Sequence, residues 1–351
     1  MKVLITGGCG FLGSNLAASY LHEEAEVVVV DALFRRGSVA NLVWLENQAA
    51  SGQLHFVQVD LANAEDVMAV FRRHAPFDYV CHVGGQVAMT ASLQDPSRDL
   101  QTNVLGTFNV LEAVRALSPE ALIAYSSTNK VYGDLRNLTY KETDTRYFLP
   151  DYPQGLDESL PLDFSTPYGC SKGSADQYVR DWARVYGLKS VVFRHSSIYG
   201  GRQFSSFDQG WIGWFTSQAY LQKKQSNKNL DFKKFTISGT GKQVRDVLHS
   251  DDLITLYKKS YHAKDSLNGQ IFNIGGGIEN SLSILELFEK LSSLLSLDDL
   301  HYDKTPRRQS DQDFFVADVT KAKHILGWYP KICLNKGLEK AIDWAAKVAD
   351  F

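Results

Sequence analysis

Two hydrophobic patterns alternate through the first half of the chain. Short β-branched and apolar runs at residues 2–6, 27–30, 55–59, 79–82, 122–125 and 190–193 are separated by stretches whose apolar positions recur at helical spacing. Strands joined by helical crossovers run parallel and are covered on both faces, so the pattern predicts an α/β fold with a doubly wound parallel sheet. From residue 193 the alternation breaks up, which predicts a second, smaller α/β unit, and Phe272-Asn273-Ile274-Gly275 reads as a return to the sheet. The expected division is residues 1–192 plus about 246–272 for the first unit and about 193–245 plus 273–351 for the second. Residues 325–345, with Gly327-Trp328-Tyr329-Pro330, read as a closing amphipathic helix.

Ligands of such sheets sit beyond the C-terminal ends of the strands, so the residues after each strand carry the chemistry. The first strand runs into Gly7-Gly8-Cys9-Gly10-Phe11-Leu12-Gly13. Glycines there allow a tight turn and close backbone approach, and the helix start offers unpaired N–H groups and a positive dipole end to a pyrophosphate. The second strand ends in Asp31, about 20 residues on, where an acid accepts both ribose hydroxyls of a dinucleotide and favours NAD over NADP. Arg35 and Arg36 follow closely and are the groups that could hold a 2′-phosphate instead. The spacing Gly7-x-x-Gly10-x-x-Gly13 resembles that of the extended short-chain dehydrogenase/reductase superfamily, which implies a Rossmann-type first unit that binds NAD. After the third strand, Asp60-Leu61 offers a carboxylate to the adenine amine or to the helix beginning near Ala64, and the two readings are compatible. After the fourth, Val83-Gly84-Gly85-Gln86 lets a nicotinamide ribose pass close to the backbone, with Gly84-Gly85 where family members usually carry two alanines. Asn103 is a polar residue on a sheet-facing helix and needs a partner; the resemblance implies that it holds the active-site backbone.

Composition narrows the function classes. In 351 residues, 44% are hydrophobic and 22% charged, ordinary for a globular protein, and a net charge of −3 gives no footprint for nucleic acid. Cysteines at 9, 81, 170 and 333 form no C-x-x-C pair and read as buried free thiols of a reducing compartment. The nine histidines form no H-x-x-x-H or H-E-x-x-H arrangement, so no metal site is expected. No apolar run reaches the roughly 18 residues needed to span a bilayer, and the first strand begins at Met1, so the expectation is a cytoplasmic protein without a signal peptide or membrane contact.

The fifth strand ends in Ser126-Ser127-Thr128-Asn129-Lys130-Val131-Tyr132-Gly133, and some forty residues later stands Tyr168-Gly169-Cys170-Ser171-Lys172. Tyrosine and lysine four apart share one helix face. An adjacent ammonium and a positive nicotinamide ring make a phenol with a reference pKa near 10 usable as a base. By resemblance, Thr128, three before Val131, takes the place of the catalytic hydroxyl, Tyr168 is the acid/base, Lys172 holds the nicotinamide ribose and Ser126 lies close by. Dehydratases of the superfamily carry an Asp-Glu pair directly after that hydroxyl residue, and decarboxylases place a glutamate in the same turn. Asn129 and Lys130 are not carboxylates, so elimination loses its acid/base pair. Reversible oxidation at a carbinol remains, with an epimerase ahead of a dehydrogenase or reductase.

Five stretches are more particular: Tyr125 to Asp134, Tyr168 to Lys172, Phe193-Arg194-His195-Ser196-Ser197, Tyr199-Gly200-Gly201-Arg202-Gln203 and Gly241 to His249. They resemble the CDP-paratose 2-epimerase family, also called CDP-tyvelose 2-epimerase. That resemblance implies inversion at C2 of a nucleotide-linked sugar with tightly bound NAD, in a homo-oligomer, dimer or tetramer. It also implies that Ser197, Arg202 and Gln203 receive the nucleotide and that Arg245, Arg307 or Arg308, and Asp311 meet the diphosphate, whereas each arginine taken singly reads equally as a surface salt bridge. His195 is expected to be structural, and the aromatic stretch from Phe207 to Phe215 is either a wall for a ring or plain core.

Overall fold

Seven parallel strands cross the centre of the molecule: β1 (Lys2–Thr6), β2 (Glu26–Asp31), β3 (Leu54–Gln58), β4 (Tyr79–His82), β5 (Leu122–Thr128) and the strands Ser190–His195 and Gln270–Ile274. The computed structural model describes residues 1–228, 230–308 and 310–349. Across the sheet the order is Gln270–Ile274, Ser190–His195, β5, β4, β1, β2, β3. The order reverses between β1 and β4, whose crevice is the switch point at which ligands of such sheets bind. Alternate strand residues feed two cores: Val27 and Val29 pack with Leu16 and Tyr20 of helix Phe11–Leu21, and Val28 and Val30 with Val67 and Phe71 of helix Ala64–His74.

The second unit encloses Phe215, Phe235, Phe288, Leu291 and Leu338. They come from helices Trp211–Ser226, Ile284–Leu295 and Leu334–Val348 and from strand Phe235–Ser238. Its other sheet is built on Val244–His249, which pairs with Ser197–Tyr199, Ser281–Ser283 and Phe314–Phe315.

The main sheet runs to His195 and Ile274, Val244–His249 lies in the other sheet, and Ala322, Leu326 and Trp328 pack in the same core as Val27 and Val29. β5 extends past Tyr125 because Ser126, Ser127 and Thr128 pair in register with Phe193, Arg194 and His195. Polar side chains hide that extension from a hydrophobicity reading. One helix cap differs from expectation: Asn63, not Asp60, accepts from the N–H groups of Glu65 and Asp66; helix Ser250–His262 is capped by His249 Nδ1, which accepts from Asp251 N. All four cysteines are free, but only Cys9 and Cys81 are buried; Cys170 and Cys333 are exposed, so the expectation that all are buried is corrected.

Helix Thr166–Tyr186 is fixed to the sheet by a fully buried ion pair. Arg194 Nε and Nη2 donate to the two oxygens of Asp176 at 2.9 and 3.0 Å, and Ser127 Oγ donates to the same carboxylate at 2.9 Å. Arg194 Nη1 donates to Tyr132 Oη (3.0 Å), which donates to Asn273 Oδ1 (2.7 Å). Removing one member of such a pair strands the other charge in the interior. Arg194→Met should therefore lower unfolding free energy by roughly 3 to 5 kcal/mol in urea titration, far more than Arg184→Met on the same helix's exposed face.

Candidate active site

A cleft of about 860 Å³ runs along the C-terminal ends of the strands, between Asp31 at one end and Arg245 and Ile284 at the other. Its floor begins with the glycine turn. Gly7 and Gly8 donate to Val30 O at 2.7 and 3.3 Å, and Gly10 N donates back to Gly7 O at 3.0 Å. Gly7 has φ +65°, and a Cβ on it would lie 2.5 Å from the Gly84 Cα; a Cβ on Gly13 would lie 2.1 Å from Gly7 O. Only glycine permits this packing. No side chain caps helix Phe11–Leu21, whose first residues Phe11, Leu12 and Gly13 line the cleft. This is a cradle for a pyrophosphate.

Asp31 stands at the end of β2 and its oxygens accept from Cys9 N (3.0 Å) and Leu33 N (2.7 Å). Burial raises its pKa, and those N–H groups oppose the rise. A carboxylate held so leaves lone pairs for ribose hydroxyls and repels a 2′-phosphate. Arg35 and Arg36 both line the cleft, as do Asp60 and Leu61. Asp60 Oδ1 accepts from Ala62 N at 3.0 Å. Gly84 and Gln86 form the opposite wall. Asn103 lies behind that wall on a π-helical turn (Leu100–Leu105), where it accepts from Gln86 N (2.8 Å) and donates to Gln86 O (3.1 Å) and Ser171 Oγ (2.9 Å). It reaches the cofactor loop through Gln86.

Thr128, Tyr168 and Lys172 converge although forty residues of chain separate the first two. All three side chains are buried. The Tyr168 and Thr128 hydroxyls are hydrogen-bonded; burial pushes the Tyr168 pKa up to about 12 despite that bond, and the Asp99 charge adds to the rise. Lys172 Nζ donates to Ser126 O and lies 4.3 Å from the centre of the Tyr125 ring. Burial pushes its pKa down to about 7, against the opposing pull of Asp176 and Asp99. Tyr168, Lys172 and Asp176 lie on one helix face, so the Arg194 pair that fixes Asp176 also aims the other two.

The far end of the cleft sorts the expected substrate residues. Ser197 Oγ accepts from Trp211 Nε1 at 2.8 Å, and both residues line the cleft with Phe207, Trp214 and Phe215, so that aromatic stretch is wall as well as core. Gln203 lines it too, its Nε2 on Ile198 O at 3.3 Å and its Oε1 without a partner. Arg245 Nη2 donates to Asp311 Oδ1 at 2.9 Å. Arg202 lines the cleft and also donates to Asn41 Oδ1 (2.8 Å) and Ala40 O (3.0 Å) and lies over Trp44 and Trp344, which ties the two units together. Arg307 is turned to Asp313 at 2.8 Å, whereas Arg308 lines the cleft against Phe207.

Two cleft residues escaped the sequence reading. Lys130, noted only as a non-carboxylate, has Nζ 3.2 Å from Ser310 O and 3.9 Å from Asp311 Oδ1, which makes it a second cation beside Arg245. His195 lines the cleft next to Thr128 with both ring nitrogens unpartnered. The signal for each was position: one follows the catalytic hydroxyl by two residues, the other ends the neighbouring strand.

The chain matches the GDP-mannose 4,6 dehydratase family over residues 4–341. It is 50% identical over 348 residues to the CDP-paratose 2-epimerase of Salmonella typhi, covering 99% of this chain and 100% of that protein. Its fold is similar to the UDP-glucose 4-epimerase of Thermotoga maritima solved with UDP-glucose, at TM-score 0.80 and 27% identity over 100% of both chains. It is also similar to the UDP-glucose 4-epimerase of Thermus thermophilus in complex with NAD, at TM-score 0.77 and 26% identity over 99% of each. The glycine cradle and the acid at Asp31 fit NAD sterically and electrostatically. A match running from the first strand to the last helix leaves the family plain: this chain belongs to the GDP-mannose 4,6 dehydratase family, within the NAD-dependent extended short-chain dehydrogenase/reductases.

Proposed function

We propose that the protein is a nucleotide-sugar 2-epimerase that accepts a CDP-linked sugar, with CDP-paratose and CDP-tyvelose as its two epimers. The observation that carries this is the buried Thr128–Tyr168–Lys172 cluster beside a turn that offers Asn129 and Lys130 instead of carboxylates. The position on the sugar and the base follow from the full-length likeness to the Salmonella typhi enzyme. NAD held by the glycine turn, Asp31 and Lys172 would supply the hydride acceptor and donor for C2 and a positive ring that favours the Tyr168 phenolate. Tyr168 receives the C2 hydroxyl proton and gives one back to the C2 oxygen when the ketone is reduced on its opposite face, while Thr128 hydrogen-bonds that oxygen throughout. Lys172 fixes the ribose of the cofactor and stabilises negative charge on Tyr168. The wall from Gly84 to Gln86 and the aromatic residues opposite keep water from the ketone. Arg245, Lys130 and Arg308 hold the diphosphate, so the sugar can turn about its anomeric linkage without leaving.

Two further readings go with this one. Phe108, Tyr178, Val185 and Tyr186 are exposed on neighbouring helices Gly106–Leu117 and Thr166–Tyr186, which supports a homo-oligomer packed through that face. Among the described residues no helix is long and apolar enough to cross a membrane; four unpaired thiols and NAD use support a cytoplasmic site of action.

Tyr168→Phe should lower kcat by about 100- to 10,000-fold while NAD remains bound on reverse-phase analysis of the denatured protein; near-native turnover would remove Tyr168 from the mechanism. The pH dependence follows from Lys130. Burial and the Arg245 charge push its pKa down to about 8, against Asp311 and Asp134, so it is charged below that pH and neutral above. An anion binds the charged form, and CDP affinity by calorimetry should fall about tenfold or more as pH rises from 7 to 9.5, with the slope flattened in Lys130→Met. Deuterium placed at C2 of the substrate should stay at C2 in the inverted product made in ordinary water, and solvent deuterium should not enter that carbon. Inversion at C4, or solvent label at C2 by NMR, would overturn the 2-epimerase reading.

A further inference from the structure

His195 ends the strand Ser190–His195, in register with Thr128 on one side and Ile274 on the other. Ser196 donates its N–H to Ile274 O (2.8 Å) and its hydroxyl to Asp246 O (3.1 Å), which turns the main chain aside and leaves the His195 ring as the side chain at the strand end. The ring lines the cleft and is 5% exposed, yet neither Nδ1 nor Nε2 has a hydrogen-bond partner. Buried polar atoms in folded proteins are almost always paired, so these two point to a ligand.

Its chemistry limits what that ligand is. Burial, reinforced by the Lys172 ammonium, pushes the imidazole pKa down to about 3. A neutral ring carries one N–H donor and one acceptor and takes up no proton in the working pH range. Tyr168 therefore has no rival as the base. On the floor of the cleft beside Thr128, and within electrostatic reach of the lysine expected to hold the nicotinamide ribose, the nearest group of matching polarity is a primary amide, which also carries one acceptor and one donor pair. Either tautomer finds a match.

We propose that His195 hydrogen-bonds the carboxamide of the nicotinamide and thereby fixes which face of the ring meets the sugar. A fixed face matters doubly here, because the same ring must serve both halves of an inversion. The inference rests on NAD as the cofactor and is independent of which sugar carbon reacts.

The test reads the cofactor itself. In His195→Phe, NAD should dissociate about ten times faster than from the wild type, as expected for one lost hydrogen bond, and the emission maximum of bound NADH should shift. His195→Gln, which keeps a donor and an acceptor, should restore most of both. Wild-type dissociation and emission in His195→Phe would overturn the proposal, as would a raised KM for the nucleotide sugar with cofactor properties unchanged, which would assign the ring to the substrate. A measurement on the wild type covers a variant that does not fold. In protein labelled with 15N-histidine, the ring resonances absent from the His195→Gln spectrum should move when NAD is replaced by ADP-ribose, which lacks the nicotinamide, and unmoved resonances would overturn the assignment.

Discussion

The buried pair between Arg194 and Asp176 is the constraint on which the catalytic geometry depends. One carboxylate receives two N–H groups from a strand end, through Arg194, and a hydroxyl from the next strand, through Ser127. Ser127 adjoins Thr128, and Asp176 lies one and two helical turns beyond Lys172 and Tyr168, so a single carboxylate registers both halves of the site against each other. Such a pair adds little net stability, because desolvating two ions offsets their attraction. Its value is that every other register of helix on sheet leaves a bare charge in the interior.

Burial governs the rest of the chemistry. It moves Tyr168 and His195 toward their neutral forms and lowers the Lys172 pKa, while Asp99 and Asp176 are the charges that hold the ammonium. The reacting end is therefore dry and poor in free charge, whereas the other end of the cleft gathers Lys130 and Arg245 on Asp311, with Arg308 beside them over Phe207. A dianion entering that end finds cations already neutralised in part and locked in place. The interaction is stronger for being preorganised.

The two units meet through contacts that fold into this arrangement. Arg202 spans from the helix Ser38–Glu46 to Trp344 of the closing helix, and Asn41 returns a hydrogen bond to Arg202 O at 3.3 Å. The cleft walls thus hold their spacing through a residue that itself lines the cleft.

Local patterns determined much by themselves. The strand order of hydrophobic runs, the glycine turn with Asp31 twenty-odd residues on, and the tyrosine and lysine four apart all act over short stretches of chain, and each is legible because its physics is local: sterics for glycine, periodicity for strands, one helix face for Tyr168 and Lys172. Tertiary structure decided what depends on neighbours distant in sequence. β5 lengthened into polar residues because a partner strand was there to pair with them; Arg202 and Arg307 took Asn41 and Asp313 as partners; and Lys130 and His195 became cleft residues only when strand ends that no pattern connects came side by side. Charge and hydrogen-bonding capacity are written in the sequence, but where they are spent is settled by what the fold places within three ångströms.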